Sequence, residues 1–503
     1  MDKKRPLLII LFLLMYAISV AQQGINNNWL MGYSSWGGQP FGQTKIDFYN
    51  GTPVLSYDSL EMDFRHTHGN ISDATGNMMF YTNGYYLADA TNDTMQNGSG
   101  INPGAYANFA SDGFAIAQAA LIIQKPSSNS IYYMFHGSCD NYMMTTGCRM
   151  HQLYLTTIDM NGNGGLGNVI TKNVPVIIDT LNTGKIAATR HANGRDWWVM
   201  VHRVNSNQFI KLLITPTVIL GPYTQNIGVT RQWDAGQAWF SQDGKKYAYY
   251  YVNGGLDIFD FDRCTATLSN AVHVTMPFEN GYNVGMAISP GSNALYVSNT
   301  QHVYQFDLTA ANIAASQLTV ATYDSFVSVF PGFPSGFATL FGLSALAPDG
   351  KIYITTGNGT IHMHTIDNPD VIGLGCNVNQ HSVQLQSVYF NTLPNHPNYF
   401  LGCDSTLGCL CAPTVGLPTP QPPKGGVVAM TNPSNGNFTL QFNVQSTAGE
   451  LEVYDVMGNL VMREYVAPWS QYKRVNIEAL AKGIYLCKLK WGSVERSVKV
   501  IKE

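Results

Sequence analysis

His191 stands in the run RHANGRDWW, with Arg190, Asn193, Arg195 and Asp196 around it. A histidine beside arginines and a carboxylate is the set that proton transfer with charge stabilisation draws on. His191 and Arg195 are therefore the candidate catalytic residues. The same run also reads as a corner: Asn193-Gly194 is a turn-forming pair, and Trp197-Trp198 opens a strand. That structural reading is favoured. Two further pairs, His66/His68 and His362/His364, would each share one face of a strand. Neither has a carboxylate at the spacing of a zinc or iron motif, so no metal site is assigned. The run DMNGNGG starts like a calcium loop with Asp159, Asn161 and Asn163, but Ile170 occupies the twelfth position, where a bidentate Glu is required. It reads as a Gly-rich turn. No G-x-S-x-G elbow occurs, which excludes an α/β-hydrolase nucleophile. No cofactor is expected.

The eight cysteines are disulfide candidates if the chain is exported. Cys139 and Cys148 flank DNYMMTTG and would clamp a hairpin. Cys376, Cys403, Cys409 and Cys411 form an even set with three possible connectivities, and their pairing would fasten the end of the large unit. Cys264 and Cys487 are expected to be single and buried. The C-x5-C-x-C spacing of the last three in the set fits no common zinc site.

Export is what the first residues imply. Lys3, Lys4 and Arg5 precede an apolar run over residues 7–17, and Ser19 and Ala21 stand at −3 and −1 of a cleavage site. Residues 1–21 are read as a signal peptide cut after Ala21. The run is short for a membrane span, and nothing later reaches about 18 uninterrupted apolar residues. No transmembrane segment is expected.

The elements that would position these groups are legible in composition and repeats. Only 12% of the 503 residues are charged, against roughly 25% in ordinary soluble domains. With 45% hydrophobic residues, the chain still has ample material for a core. A formal net charge of −4 leaves no basic surplus for phosphates, which puts nucleic acid and anionic membranes last among possible partners, and no nucleic-acid partner is expected. Residues 426–503 carry 9 basic and 7 acidic groups in 78 positions, whereas residues 22–425 carry 16 and 24 in 404. Between the two lies a proline-rich stretch with Pro413, Pro418, Pro420, Pro422 and Pro423, which favours an extended spacer. The expected organisation is a large unit at 22–411, a linker at 412–427 and a small unit at 428–503.

Within the large unit, polar turns followed by aromatic-rich strands recur. The turn residues Gly76, Asn129, Gly194, Gly244, Asn293 and Gly350 are spaced by 53, 65, 50, 49 and 57 residues. A period near 50 in an all-β chain points to propeller blades, because a lone meander exposes two faces that radial stacking covers. Six units are plain. A seventh would come from pairing NNWLMGYSS with SVYFNTLPNHPNYF, closing the ring. Seven blades are favoured over six or eight. The small unit shows hairpins around Gly458 and between the strands 484–489 and 494–501, and reads as a small β-sandwich. An immunoglobulin-like adhesion module would show the same pattern.

Two resemblances follow. The segments NISDATGNMMFYTNG, ATRHANGRDWWVMVHRVNSNQFIKLLIT, FSQDGKKYAYYY and LSALAPDGKIYIT resemble secreted propeller proteins common in Bacteroidetes, over most of residues 25–400. TNPSNGNFTLQF, GELEVYDVMGNLV and VNIEALAKGIYLCKLKWGSVERSVKVIKE resemble the type A C-terminal sorting domain of the type IX secretion system. Its landmarks here are Asn432, Pro433, Asp455, Gly458, Gly483, Ile484 and Tyr485. The usual Tyr-Pro-Asn-Pro opening is reduced, with Met430 and Thr431 in place of Tyr and Pro. The resemblance implies recognition by the outer-membrane secretion machinery, followed by release or attachment at the cell surface. The favoured function is a displayed or secreted binding or adhesion module for a surface polysaccharide or protein. The alternative is an extracellular hydrolase or lyase acting on the propeller axis. An axis gathering His, Arg and carboxylates would favour the enzyme, and an axis of small and apolar groups the binder.

Overall fold

A computed structural model of the chain describes residues 24–503 apart from 50, 59, 105, 108–111, 138–148, 234, 280, 282–283, 413–425, 431, 444, 446, 467, 469 and 471. The expected cleavage-site residues Ser19 and Ala21, most of the expected linker, and Cys139 and Cys148, expected to clamp a hairpin, lie outside the described residues. No helix among those described is long and apolar enough to cross a membrane.

Seven antiparallel meanders follow one another along the large unit: residues 28–58, 69–89, 120–181, 187–231, 238–274, 285–322 and 344–390. The first two have three strands and the other five have four. These are blades 1 to 7 of a β-propeller. A separate hairpin, Val327–Phe330 with Phe333–Ala338, is inserted before blade 7.

The recurring sequence turn is the corner between the first two strands of a blade. In blades 2, 4, 5, 6 and 7 the N–H of the fourth turn residue donates to the C=O of the first: Gly76 to Asp73, Gly194 to His191, Gly244 to Ser241, Ser292 to Ser289 and Gly350 to Ala347. That fourth residue has φ of 87°, 77°, 71°, 60° and 80° respectively. The left-handed conformation explains the glycines. In blade 6, Ser292 takes this place, so Asn293 marks the turn without bending it.

Burial explains why the strands are aromatic on both sides. In blade 5, Tyr247, Tyr249 and Tyr251 face blade 4 and pack with Trp198, Met200 and Phe209. The alternate residues Ala248, Tyr250 and Val252 face blade 6 and pack with Met286, Ile288 and Val297. A strand has two faces and here each meets a neighbouring sheet, so the polar alternation of a half-solvated strand is absent. Each buried ring contributes gross transfer free energy on the order of 4 kcal/mol.

The ring does not close by the strand pairing expected from sequence. Among the described residues Asn28–Tyr33 pairs only with Gly42–Asp47, and the sheet of blade 1 lies within residues 28–58. SVYF belongs to the last strand of blade 7, with Tyr389 opposite Thr360 and Phe390 opposite Gly359. Blades 1 and 7 instead meet through packed side chains, among them Trp29, Phe48, Leu343, Tyr353 and Tyr389.

The segment after Phe390 passes down the middle of the ring. Asn391 accepts from the Leu343 N–H at 3.2 Å, and His396 contacts the Asn70 carbonyl at 3.0 Å. Asn395 Nδ2 donates to the carbonyls of Ala120 and Ile186, at 3.1 and 2.9 Å. Asn398 donates to the Gln242 carbonyl and the Tyr399 hydroxyl to that of Ile122, both at 2.8 Å. Partners at the inner strands of so many blades are available only at the centre. Pro394 and Pro397 lack an N–H and hold φ near −65°, which keeps the segment from joining a ladder.

The small unit consists of two sheets. Val427–Met430, Asn437–Phe442 and Tyr472–Asn476 form one, and Gly449–Tyr454, Leu460–Val466, Gly483–Trp491 and Val494–Lys502 the other. Phe438, Leu440 and Val475 from the first pack with Leu451, Val453, Cys487 and Leu489 from the second, giving a sandwich core.

Candidate functional site

The corner turns and the end of the axial segment share one face of the ring. His191 lies there in the blade 4 turn. Its Nδ1 accepts the Asn193 N–H at 2.9 Å and its Nε2 donates to the Cys264 carbonyl at 3.0 Å. Both nitrogens are thus engaged with backbone. Burial lowers its pKa from the ordinary imidazole value, which keeps the ring neutral at neutral pH. Arg195 donates to Asp196 through Nε at 2.7 Å and Nη2 at 3.0 Å, and Asn193 Nδ2 reaches the same carboxylate at 2.8 Å. Arg190 stacks on the Trp197 ring at 4.0 Å and donates to the Arg195 carbonyl at 2.7 Å. Arg263 bonds the carbonyls of Arg190 and Gly402, at 2.9 and 2.5 Å. Burial pulls both of these arginines down to about 10. The charged groups that made this run suggestive tie blade 4, blade 5 and the axial segment together.

At the axis the same face opens into a cavity of about 30 Å³, room for about one water. Trp29, Ala188, Trp239, Ala287, Ala345 and Pro397 are among its walls. Among the described residues His396 is its one titratable lining residue, and burial pulls it down to about 4. The larger opening is a groove of about 550 Å³ between blades 5 and 6.

The cysteines depart from the expected set. Cys264, expected to be single, is bonded to Cys409 across 145 residues, with Cα atoms 5.8 Å apart. Cys403 pairs with Cys411, at a Cα separation of 5.6 Å. Cys376, expected in the exit set, is unpaired and buried against blades 6 and 7. Cys487 is likewise unpaired and buried. The exit segment crosses back over blades 4 and 5, which brings Cys409 to the Cys264 turn, while Cys376 stays packed between blades 6 and 7. Among the described residues one group of three side chains has metal-ligand proximity, His191 with Cys264 and Cys409, but its two sulfurs are bonded to each other. The histidine pairs stay apart in role. His68 is buried against the Phe64 ring at 4.4 Å, and His66 faces the Phe390 ring at 5.6 Å. His362 Nδ1 lies 2.8 Å from the Ser328 hydroxyl, while His364 Nδ1 accepts the His381 N–H at 2.9 Å.

In the small unit, Asn432 binds the final strand twice. Its Nδ2 donates to the Lys499 carbonyl and its Oδ1 accepts the Ile501 N–H, both at 2.8 Å. Pro433 follows it across a cis peptide bond. Asp455 Oδ1 accepts the N–H groups of Met457 and Asn459, both at 2.9 Å, closing the turn in which Gly458 has φ of 83°. Gly483 opens the long strand, Ile484 projects outward, and Tyr485 is buried with its hydroxyl donating to the Ala481 carbonyl at 2.7 Å. Beside them, Glu452 accepts from Lys490, Tyr454 and Arg463, each at 2.6 Å. Those bonds, led by Lys490, pull its carboxyl down to about 2.

Residues 431–503 match the family model for the secretion system C-terminal sorting domain. Comparison with curated proteins returns no match. Among solved structures, a protein of unknown function from Desulfotomaculum acetoxidans is 13% identical, with 74% of this chain and 99% of that chain covered and a TM-score of 0.40. PorZ, a surface component of the type IX secretion system of Porphyromonas gingivalis, is 11% identical over 92% of this chain and 69% of its own, with a TM-score of 0.30. The Swd1 β-propeller domain of Myceliophteria thermophila is 10% identical over 67% and 94%, with a TM-score of 0.34. The C-terminal unit is a type IX secretion sorting domain, and the chain that carries it behind a β-propeller is secreted or attached at the cell surface.

Proposed function

We propose that the propeller, residues 22–411, is a binding or adhesion module which the sorting domain at 428–503 delivers to the cell surface, with 412–427 as spacer. The observation that carries the reading is the state of the axis. A segment of the chain fills it, and the remaining water-sized cavity is walled by Trp29, Trp239 and Phe240 together with neutral polar side chains such as Thr189, Ser241 and Gln242, with no carboxylate among its described walls. A hydrolase or lyase built on this fold would need proton-transfer groups converging where a substrate can enter. Among the described residues His396 is the one titratable wall, and a pKa near 4 leaves it neutral and weakly basic at neutral pH. His191 and Arg195 are committed to the turn that grips the axial segment. Specificity then belongs to the loops and grooves between blades, held by a rigid scaffold.

The test is an array of surface polysaccharides and extracellular proteins probed with the exported chain, with every hit assayed for turnover. Saturable binding without product is the expected result. Turnover lost on His191→Ala or Arg195→Ala, with the fold intact, would overturn the reading.

A further inference from the structure

The groove between blades 5 and 6 has the size of a ligand site and a wall chemistry that selects among ligands. Its floor is apolar, made by Phe261, Leu308 and Leu407. Two of its charged walls, Lys246 and Lys245, already face carboxylates. Lys246 Nζ sits 2.6 Å from Asp260, whose other oxygen accepts Asn270 Nδ2 at 2.6 Å. Burial alone would raise the Asp260 carboxyl, but the bonds from Asn270 and Lys246 prevail and hold it below its ordinary value. Lys245 stands in the field of Asp404, whose carboxyl it helps to lower. The lining carries three aspartates against two lysines, so a polyanion gains no attractive field there.

Unspent hydrogen-bonding capacity remains. Asp243 uses Oδ1 for the Ser241 hydroxyl and the Lys245 N–H, at 2.6 and 3.0 Å. Asp262 uses Oδ1 for the N–H groups of Cys264 and Thr265, at 2.7 and 3.1 Å. The Oδ2 atoms of both carboxylates accept no protein hydrogen bond among the described residues, and the Lys245 ammonium and Ser269 hydroxyl are exposed on the same walls. Fixed acceptors next to mobile donors, over an apolar floor, match a ligand whose groups donate and accept at once and whose C–H faces are apolar.

We infer that this groove binds a neutral polyhydroxylated chain, an uncharged oligosaccharide. The inference rests on the binding-module reading and gives it a place and a ligand class. The test uses the whole mature chain and a panel of neutral gluco-, galacto- and manno-oligosaccharides, with sulfated and uronic acid oligosaccharides as controls, measured by calorimetry. The expected result is binding of a neutral member, weakened about tenfold or more by Ser269→Trp and by Thr309→Trp, which fill the groove from exposed positions. Lys245→Ala gives the same readout, about threefold, should the tryptophans disturb folding. Neutral binding unchanged by all three variants overturns the groove and leaves the binding reading standing. Binding of the charged controls alone overturns the ligand class. Binding of no oligosaccharide overturns the inference, while the binding reading falls only if polymers and proteins on the surface array also fail.

Discussion

Gln118 and Asn395, 277 residues apart, hold each other at the centre of the ring: Gln118 Nε2 donates to Asn395 Oδ1 at 3.1 Å and also to the Ala238 carbonyl at 2.9 Å. With the two bonds from Asn395 Nδ2, the amide pair satisfies backbone carbonyls of blades 3 and 5 and of the link into blade 4. Asn395→Leu keeps the volume and strands those partners. It should destabilise the chain by about 2–4 kcal/mol in urea unfolding. A loss below about 0.5 kcal/mol would show that the axial segment does not brace the blades.

Gly194 and Gly350 occupy the same turn position with different surroundings. A Cβ on Gly350 meets nothing within 4 Å, whereas one on Gly194 would lie 2.6 Å from the Cys403 nitrogen. Gly350→Ala should cost only the left-handed strain, about 1–2 kcal/mol. Gly194→Ala should cost that and the displacement of the exit segment, about 3 kcal/mol or more. Equal losses in thermal unfolding would contradict the close approach.

The two disulfides close loops of very different length, with separations of 145 and 8 residues. By chain entropy, losing the first costs on the order of 5 kcal/mol and losing the second about half that. Cys409→Ser should therefore lower the melting temperature more than Cys411→Ser. Non-reducing peptide mapping of the exported protein should recover both pairs, with Cys376 and Cys487 alkylated only after unfolding.

Asp349 is buried in the blade 7 turn, where it accepts the Lys351 N–H at 3.1 Å and the Tyr353 hydroxyl at 2.9 Å. Burial pushes its carboxyl up to about 6. A carboxyl raised on folding costs nothing below its unfolded pKa of 3.8 and its full penalty above about 6. The stability difference between Asp349→Asn and the native chain should therefore move in favour of the variant between pH 3.5 and 6.5, by an amount on the order of 3 kcal/mol, and stay flat above. A difference independent of pH would place the carboxyl in water.

Removal of residues 428–503 should leave the propeller in the periplasm of the native bacterium. Cell fractionation decides this. Surface display of the truncated chain would separate the sorting domain from export.

What could be read from sequence was local. Asp243-Gly244 and Asn193-Gly194 announce turns through their own backbone preferences, and strands such as KYAYYY announce blades buried on two faces. The filling of the axis was not legible, since it depends on where Asn391 to Tyr399 run relative to five other sheets. Pro394 and Pro397 carried the one usable signal, because a segment with two missing N–H groups makes a poor ladder strand. The Cys264–Cys409 pair was hidden for the same reason. Spacing along the chain groups Cys403, Cys409 and Cys411 with Cys376, whereas folding carries the exit segment back to blade 5. His191 looked catalytic because the residues that grip a crossing segment by hydrogen bond and charge are the types that also move protons.

The Cys264–Cys409 bond has a mechanical consequence. Tension applied at the C-terminal side of the propeller arrives first at Cys411 and Cys409. From Cys409 it passes covalently into blade 5, and residues 265–408 lie outside the stretched path. Blades 6 and 7 and the axial segment are thereby shielded from the pull. An oxidised chain held in a force spectrometer would lengthen without releasing them, and a reduced chain would surrender the axial segment first.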